Sequence, residues 1–370
     1  MKLVVPSELY ENENRVSITP DTIPSLIKMG FKVFVQSNAG LSSSYTDDDY
    51  KKSGAVISSK LNELYSKADL VVKVQRPSKQ KKTDEFKFLK NCNLITLLYE
   101  QKFKTEFSSL KKLNINVFAL EKMPRISRAQ SMDVLSSQSN LSGYKAVIDA
   151  ASLFNKAFPL MMTSAGTVAP AKVLVIGAGV AGLQAIATAK RLGAVVSTFD
   201  VRASTKEQVE SLGAKFIQVE EKGDSGETSA GYAKEMSASY KKKQAKLLED
   251  SIAKTDIVIT TALIPGKPAP KLITKKMVET MKVGSVVIDL ASEFGGNCEL
   301  TKHGEIFDYK SIKIVGPKNL PATVSQDSSR LFAKNVINFL MNSCESGKFL
   351  NFNWDDEVVK ETCVIQNLKK

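Results

Sequence analysis

Along the first third of the chain, short apolar runs rich in β-branched residues alternate with helical or turn-rich stretches. KLVVP, FKVFVQ, AVIS, DLVVKVQ, NLITLL and INVFAL read as six strands. Between the first two, SITPDTIPSLIKMG reads as a helix, with Thr19 as N-cap, Pro20 at its first position and Gly30 closing it. Strands alternating with helices imply a parallel sheet covered on its faces. From Ser131 to Phe158 the pattern turns helical, and FPLMMTSAGTVAPAK, with two prolines and a glycine, reads as a connection. A second strand series follows in KVLVIGAG, AVVSTFD, KFIQVE, DIVITTAL, GSVVIDLA and IKIVGP. These strands are apolar throughout, as burial on both faces requires. DSSRLFAKNVINFL then reads as a helix leading to the strand-like FLNFNW and CVIQ.

Composition narrows the class. A chain of 370 residues, 43% hydrophobic and 25% charged, has the balance of a soluble globular protein and the length of two domains. The longest uncharged stretch, Val173 to Ala189, sits near the lower length limit for a membrane span, and its glycines fall at motif spacing. If the function involves a membrane, the chain is expected to lie beside it. The opening MKLVVPSELYENENRV lacks the basic-then-apolar pattern of a secretory signal. Cys92, Cys298, Cys344 and Cys363 are scattered without a C-x-x-C pair, so no metal site is expected and a reducing compartment is. The net charge of +13 is spread in runs such as KKTDEFKFLK and YKKKQAK, which read as solvated faces rather than a nucleic-acid surface. The only histidine, His303, lies in TKHGE, which reads as a polar turn. Dehydrogenases that act on small substrates usually need a general acid or base, most often histidine. That option is nearly closed here.

The sharpest motif is Gly177-Ala-Gly179-Val-Ala-Gly182, directly after the strand VLVI and directly before GLQAIATAKRLG. Gly177 permits the tight turn, Gly179 lets the backbone approach a pyrophosphate, and Gly182 lets helix and strand pack closely. Asp200 ends the next strand 18 residues after Gly182, close to the offset at which an acid meets the adenosine ribose. Against the 2′-phosphate of NADP, two like charges about 4 Å apart cost roughly 4 kcal/mol at an effective dielectric near 20. That is about a thousandfold in affinity. Arg202 complicates the reading, because an arginine there could receive that phosphate, contact the pyrophosphate or simply face solvent. NAD is the expected cofactor. The fold expected is α/β, with two Rossmann-like doubly wound parallel-sheet domains and a cleft between them. The first spans 1–135 plus 322–370, and the second, which binds NAD(H), spans 136–321.

A second cluster lies in MPRISRAQSMDVLSSQSN, where Arg125, Arg128, Gln130 and Asp133 fall within nine residues. One reading is a polar connection in which Ser131 or Asp133 caps the following helix. The other is a polar clamp at the domain junction, able to position a carboxamide and a ribose without donating protons.

These residues also carry a resemblance. MPRISRAQSMDVLSSQSNLSGYKAVID closely resembles the signature loop and helix of the NAD(H)-binding domain of proton-translocating NAD(P) transhydrogenases. So do MMTSAGTVAPAKVLVIGAGVAGLQAIATAKRLGAVV, DVRASTKEQVESLGAKF, GYAKEM, KTDIVITTALIPGKPAP and GSVVIDLASEFGGNC. The likeness covers essentially the whole chain. It implies that Arg125, Gln130 and Asp133 hold the nicotinamide and its ribose, with Ser136 one turn on as a further contact. It places Asp200 at the adenosine ribose and adds Val180, Val201, Arg202, Ala262 and Leu263 to the nucleotide contacts. It matches Tyr232, beside Gly231 as hinge, to a mobile loop that closes over bound nucleotide. It further implies that this chain binds NAD(H), that NADP(H) sits on a partner domain, and that hydride passes directly between them. Membrane-embedded partner subunits would couple the transfer to proton translocation. A homodimer formed through the second domain and a peripheral position on the inner face of the cell membrane, or in a matrix-type compartment, are expected too. Transfer between two nicotinamides needs no side-chain acid or base, which makes chemical sense of the missing histidines.

The nearest rival is alanine dehydrogenase, which resembles this chain in its opening motif. Arg15, in NENRVSITP, occupies a position that binds substrate carboxylate there. That family also uses a lysine in a K-V-K-E-P run and a histidine after the fifth strand. Here the first reads Lys73-Val-Gln75-Arg76-Pro77, and LITLLYEQ holds no histidine. LITLLYEQ also departs from the small, glycine-bearing segment expected in transhydrogenases, so the surroundings of Tyr99 are expected to differ. A rival of another kind is an NADH-sensing module without catalysis.

Overall fold

The computed structural model describes residues 1–80, 83–219, 237–264, 267–345 and 350–368. In chain order the principal strands are β1 (Lys2–Val5), β2 (Lys32–Gln36), β3 (Val56–Ser58), β4 (Leu70–Gln75), β5 (Asn93–Leu97) and β6 (Asn116–Ala119). There follow β7 (Lys172–Ile176), β8 (Val195–Phe199), β9 (Lys215–Ile217), β10 (Ile257–Thr260), β11 (Val286–Asp289), β12 (Ile306–Tyr309), β13 (Ile312–Val315) and β14 (Cys363–Gln366). The chain divides into two compact units, one of residues 1–138 with 321–370 and one of residues 139–320.

Each unit is built on a seven-stranded sheet. The order is β14-β6-β5-β4-β1-β2-β3 in the first and β9-β8-β7-β10-β11-β13-β12 in the second. All pairings are parallel except that β14 runs antiparallel to β6, and β12 to β13. In both, the first strand is an inner strand with two neighbours on one side and four on the other, and the chain reverses its direction of travel across the sheet beside it. Open α/β sheets place their ligand crevices at that reversal. The apolar strands have cores on both faces, because successive side chains point to opposite sides. Leu3 and Val5 belong to one buried cluster and Val4 to another. In the second unit Val173 and Val175 face one cluster, Leu174 and Ile176 the other.

All twelve strands expected from the apolar runs are present. Elements that differ from expectation include β12 (Ile306–Tyr309), an antiparallel strand that no apolar run marked. Met161–Thr163 and Gly166–Val168 form an exposed antiparallel hairpin where a connection was expected, because prolines on either side mask two three-residue strands. Thr19 occupies the cap position in extended backbone, yet its hydroxyl donates to Asp21 (2.6 Å) rather than accepting from the helix. A 3-10 turn over Pro20–Thr22 therefore precedes the helix Ile23–Lys28. Gly30 closes it at φ +90°.

Candidate functional site

The second unit carries the glycine-rich turn. Gly177 follows β7 at φ +101°, a region glycine enters without strain. Its N–H donates to Phe199 O (2.8 Å). The helix Val180–Arg191 starts three residues on. A Cβ at Gly182 would lie 1.8 Å from Gly177 O, so only glycine lets helix and turn approach this closely. A Cβ at Gly177 would lie 2.6 Å from Thr261 Oγ1, which instead donates to Gly177 O (3.0 Å). That bond crosses the reversal point between β7 and the end of β10. At Gly179, by contrast, a Cβ would meet nothing within 4 Å. The turn is thus tight where the chain must touch itself and open at the helix N-terminus, where a pyrophosphate would need to approach the backbone. The residues present fit a dinucleotide phosphate. Val180, the first helical residue, is exposed.

The helix is itself held in place by glycine. A Cβ at Gly143 would lie 2.0 Å from Ala181 O, so the long helix Val134–Leu153 meets the start of the helix Val180–Arg191 backbone to backbone.

Asp200, directly after β8, is buried. Its Oδ2 accepts from Ala178 N (2.6 Å) and Arg202 Nη2 (2.9 Å), and its Oδ1 from Arg202 N (2.8 Å) and Nε (3.0 Å). The acid is therefore tied to the glycine turn, and Arg202 is an ion partner of Asp200 rather than a solvated loop residue. Val201 is half-buried against the core. Ala262 is half-buried and Leu263 exposed, on the segment that follows β10. Sequence reasoning missed what fixes that segment. Asn297, fully buried, accepts from Ala262 N (3.0 Å) and donates to Ala262 O (2.8 Å) and Pro270 O (2.9 Å). The only signal was an asparagine beside two glycines in GGNC.

In the first unit, the signature loop forms a 3-10 turn over Ser127–Met132. Arg125 and Gln130 are exposed, while Asp133 and Ser136 are half-buried. The cap is Asp133, not Ser131. Ser136 N donates to Asp133 Oδ1 (2.9 Å) and Ser136 Oγ to Oδ2 (2.6 Å), so two residues expected at a nicotinamide also close the helix start on each other. The Ser131 carbonyl instead accepts from Asn335 Nδ2 (2.8 Å) and Asn338 Nδ2 (3.0 Å) of the helix Ser325–Ser343. Arg128 makes a two-pronged bond to Asp356 (2.8 and 2.9 Å). Gln130 is thus presented from a turn whose flanks are pinned on both sides. Gly231 and Tyr232, expected to form a closing loop, lie outside the described residues.

The first unit has no glycine turn at its own reversal point. After β1, the Glu8 carboxylate bridges to β4, accepting from Val74 N (2.6 Å) and Gln75 N (3.3 Å). Lys73 is fully buried between Glu8 (3.3 Å) and Glu85 (2.7 Å). Burial opposes its charge, but the two carboxylates outweigh it and raise its pKa. Burial, with Glu13 and Glu85 nearby, pushes Glu8 up to about 7 against the pull of Lys73. Arg15 is buried with Nε and Nη2 on Glu13 (2.8 and 2.6 Å) and Nη1 on Gln138 (2.8 Å). Gln75 Nε2 also donates to Glu13 (2.9 Å). The guanidinium that would take a substrate carboxylate in the rival reading is held bidentately by the protein's own Glu13.

His303 sits exposed in a turn, its Nδ1 3.1 Å from Ser292 Oγ. Among the described residues no group of His, Cys, Asp and Glu is arranged to hold a metal, and no helix is long and apolar enough to cross a membrane. All four cysteines are free thiols.

Comparison with known proteins places this geometry. The alanine dehydrogenase/PNT N-terminal domain matches residues 4–142 and the corresponding C-terminal domain residues 146–369. An NAD(P) transhydrogenase alpha-subunit chain of Rhodospirillum rubrum is 52% identical over 375 aligned positions, covering 99% of this chain and 97% of that protein. The solved transhydrogenase from Sinorhizobium meliloti superimposes with a TM-score of 0.89 at 44% identity, covering 99% of each chain. An L-alanine dehydrogenase structure superimposes with a TM-score of 0.82 over 100% of this chain and 96% of that one. At 22% identity, that likeness shows the fold alone. Matched by both family domains and by transhydrogenase subunits over nearly its full length, the chain belongs to the alanine dehydrogenase/PNT family, on its NAD(P) transhydrogenase alpha-subunit branch.

Proposed function

We propose that this chain binds NAD(H) and presents it for direct hydride transfer to NADP(H) held by a partner domain, with membrane-embedded partner subunits coupling the transfer to proton translocation. The observation that carries the nucleotide half is the glycine turn, closed at Gly182 and Gly177 yet open at Gly179, with Asp200 anchored beside it. The bound dinucleotide supplies the hydride chemistry. The turn and the helix start at Val180 take the pyrophosphate, Asp200 takes the adenosine ribose, and Ala262 and Leu263 line the segment beyond β10. Arg125, Gln130 and Asp133, with Ser136, orient the nicotinamide carboxamide and its ribose. None of these residues moves a proton, and the single exposed histidine leaves no evident acid for imine reduction. Alignment to about 3–3.5 Å and exclusion of water are the tasks left to the protein. The chain works as a homodimer at the inner membrane face, with Gly231 and Tyr232 closing over the nucleotide.

The alanine dehydrogenase reading is disfavoured by one arrangement. Arg15 and Gln75 are both engaged by Glu13, which fills the place a small acid would need. A purely sensing role predicts no special requirement at Gln130. In Gln130→Asn, hydride transfer measured with the partner domain is expected to fall by about a hundredfold, the scale of an ångström-level misplacement. NADH binding to the same variant should weaken only a few-fold. Equal losses in both would remove the positioning role.

A further inference from the structure

The Asp200 carboxylate is saturated before any nucleotide arrives. A carboxylate offers about four acceptor positions, and here four donors fill them. They are Ala178 N and Arg202 Nη2 on Oδ2, and Arg202 N and Nε on Oδ1, all at 2.6–3.0 Å. The two main-chain donors are fixed by the phosphate turn and by the backbone after β8. The other two belong to one guanidinium, whose paired N–H groups form a rigid fork. The vicinal hydroxyls of a ribose offer the same pattern, two neighbouring donors aimed at one carboxylate. Both side chains are largely sequestered, at 16% exposure for Arg202 and 5% for Asp200, so the pair is an inward-facing contact rather than a solvated one.

We infer that Arg202 is a built-in occupant of the adenosine-ribose site, and that a nucleotide must displace its guanidinium from Asp200 in order to bind. This rests on the reading of the second unit as the nucleotide-binding one. The exchange replaces two charge-assisted donors by two hydroxyls, so it is nearly balanced in number of hydrogen bonds and costs the nucleotide part of its affinity. A ribose lacking one hydroxyl fills only one of the two vacated positions and competes less well. Arg202 therefore lowers the affinity of any ribose that has to displace it, and lowers it most for an intact vicinal diol, which needs both positions.

The test is binding alone, with the full chain and no partner. Wild type, Arg202→Met and Arg202→Lys are titrated calorimetrically with NADH and with its analogue lacking the adenosine 2′-hydroxyl. Arg202→Met keeps the aliphatic stem and removes the competing fork. It is expected to bind NADH about tenfold more tightly than wild type, and the gain should shrink for the deoxy analogue. Arg202→Lys, a point donor in place of a fork, should show a smaller gain in the same direction, and it carries the test if the methionine variant does not fold. Unchanged or weaker NADH binding in a folded variant overturns the inference, because Arg202 would then assist the nucleotide or stay on Asp200 in the complex. Failure of wild type itself to bind NADH would instead remove the nucleotide reading on which the inference stands.

Discussion

The two sheets share the order of their first five strands and reverse at the same place, yet they treat that place in opposite ways. In the second unit the turn after the first strand is three glycines deep, bare at Gly179 and bridged to the end of β10 by the Thr261 hydroxyl. In the first unit the equivalent turn after β1 is Pro6-Ser7-Glu8, and the Glu8 side chain crosses to the β4 backbone with Lys73, Glu85, Glu13 and Arg15 buried around it. One crevice is left open for a ligand's charge, and the other is filled by the protein's own charges. A shared fold therefore does not give two alike crevices. At the third position after the strand, one turn carries Gly179 and the other Glu8.

The largest expected effect breaks the filled crevice. Lys73→Met leaves Glu8 and Glu85 buried without a counter-charge and should destabilise the first unit by about 3–5 kcal/mol, read as a lowered urea midpoint. An unchanged midpoint would mean the cluster does not hold the crevice shut. In the open crevice, Gly182→Ala should cost roughly 1–3 kcal/mol or more, since its Cβ meets a carbonyl at 1.8 Å and backbone must move. Gly179→Ala sharpens the contrast. Its Cβ meets nothing, so thermal stability should stay as in wild type while NADH binding weakens about tenfold as the methyl takes the space needed by the phosphate. Loss of stability there, with binding intact, would contradict the assignment.

A smaller effect follows from Glu8. Its folded pKa of about 7 lies above the ordinary 4.5, so the native state holds the proton more tightly than the unfolded chain. The stability this contributes is present in full below about pH 4.5 and is lost as pH rises through about 7. Melting followed from pH 4.5 to 7.5 should show a loss on the order of 1–3 kcal/mol from this group. Glu8→Gln, which cannot ionise, should flatten that share of the slope. An identical slope in the variant would place the titration elsewhere.

The open crevice was far more legible in the sequence than the filled one. Gly177, Gly179, Gly182 and Asp200 sit at fixed spacing because local backbone geometry demands it, so the motif and the shape of its turn could be read together. The strands were legible for a similar reason, since burial on both faces leaves uninterrupted β-branched runs. Asn297 and Thr261 were not legible, because each acts on a segment distant in sequence through one hydrogen-bonding group. The same holds for Asn335, Asn338 and Asp356, which steady the signature loop from the far end of the chain. Sequence spacing left the choice between Ser131 and Asp133 as cap open, and geometry settled it through Ser136. The exposed hairpin around Gly166 escaped because its strands are three residues long and unburied, with no apolar alternation to mark them.

The proposed role requires that this chain present NADH to a second nicotinamide and leave small substrates unreduced. The most direct measurement follows NADH oxidation by the purified chain in two mixtures, one with pyruvate and ammonium, the other with an NADP+ analogue and the NADP-binding partner domain. Turnover is expected only in the second. Turnover with pyruvate and ammonium alone would contradict that role, and would mean that the crevice filled by Glu13 and Arg15 opens to a substrate after all.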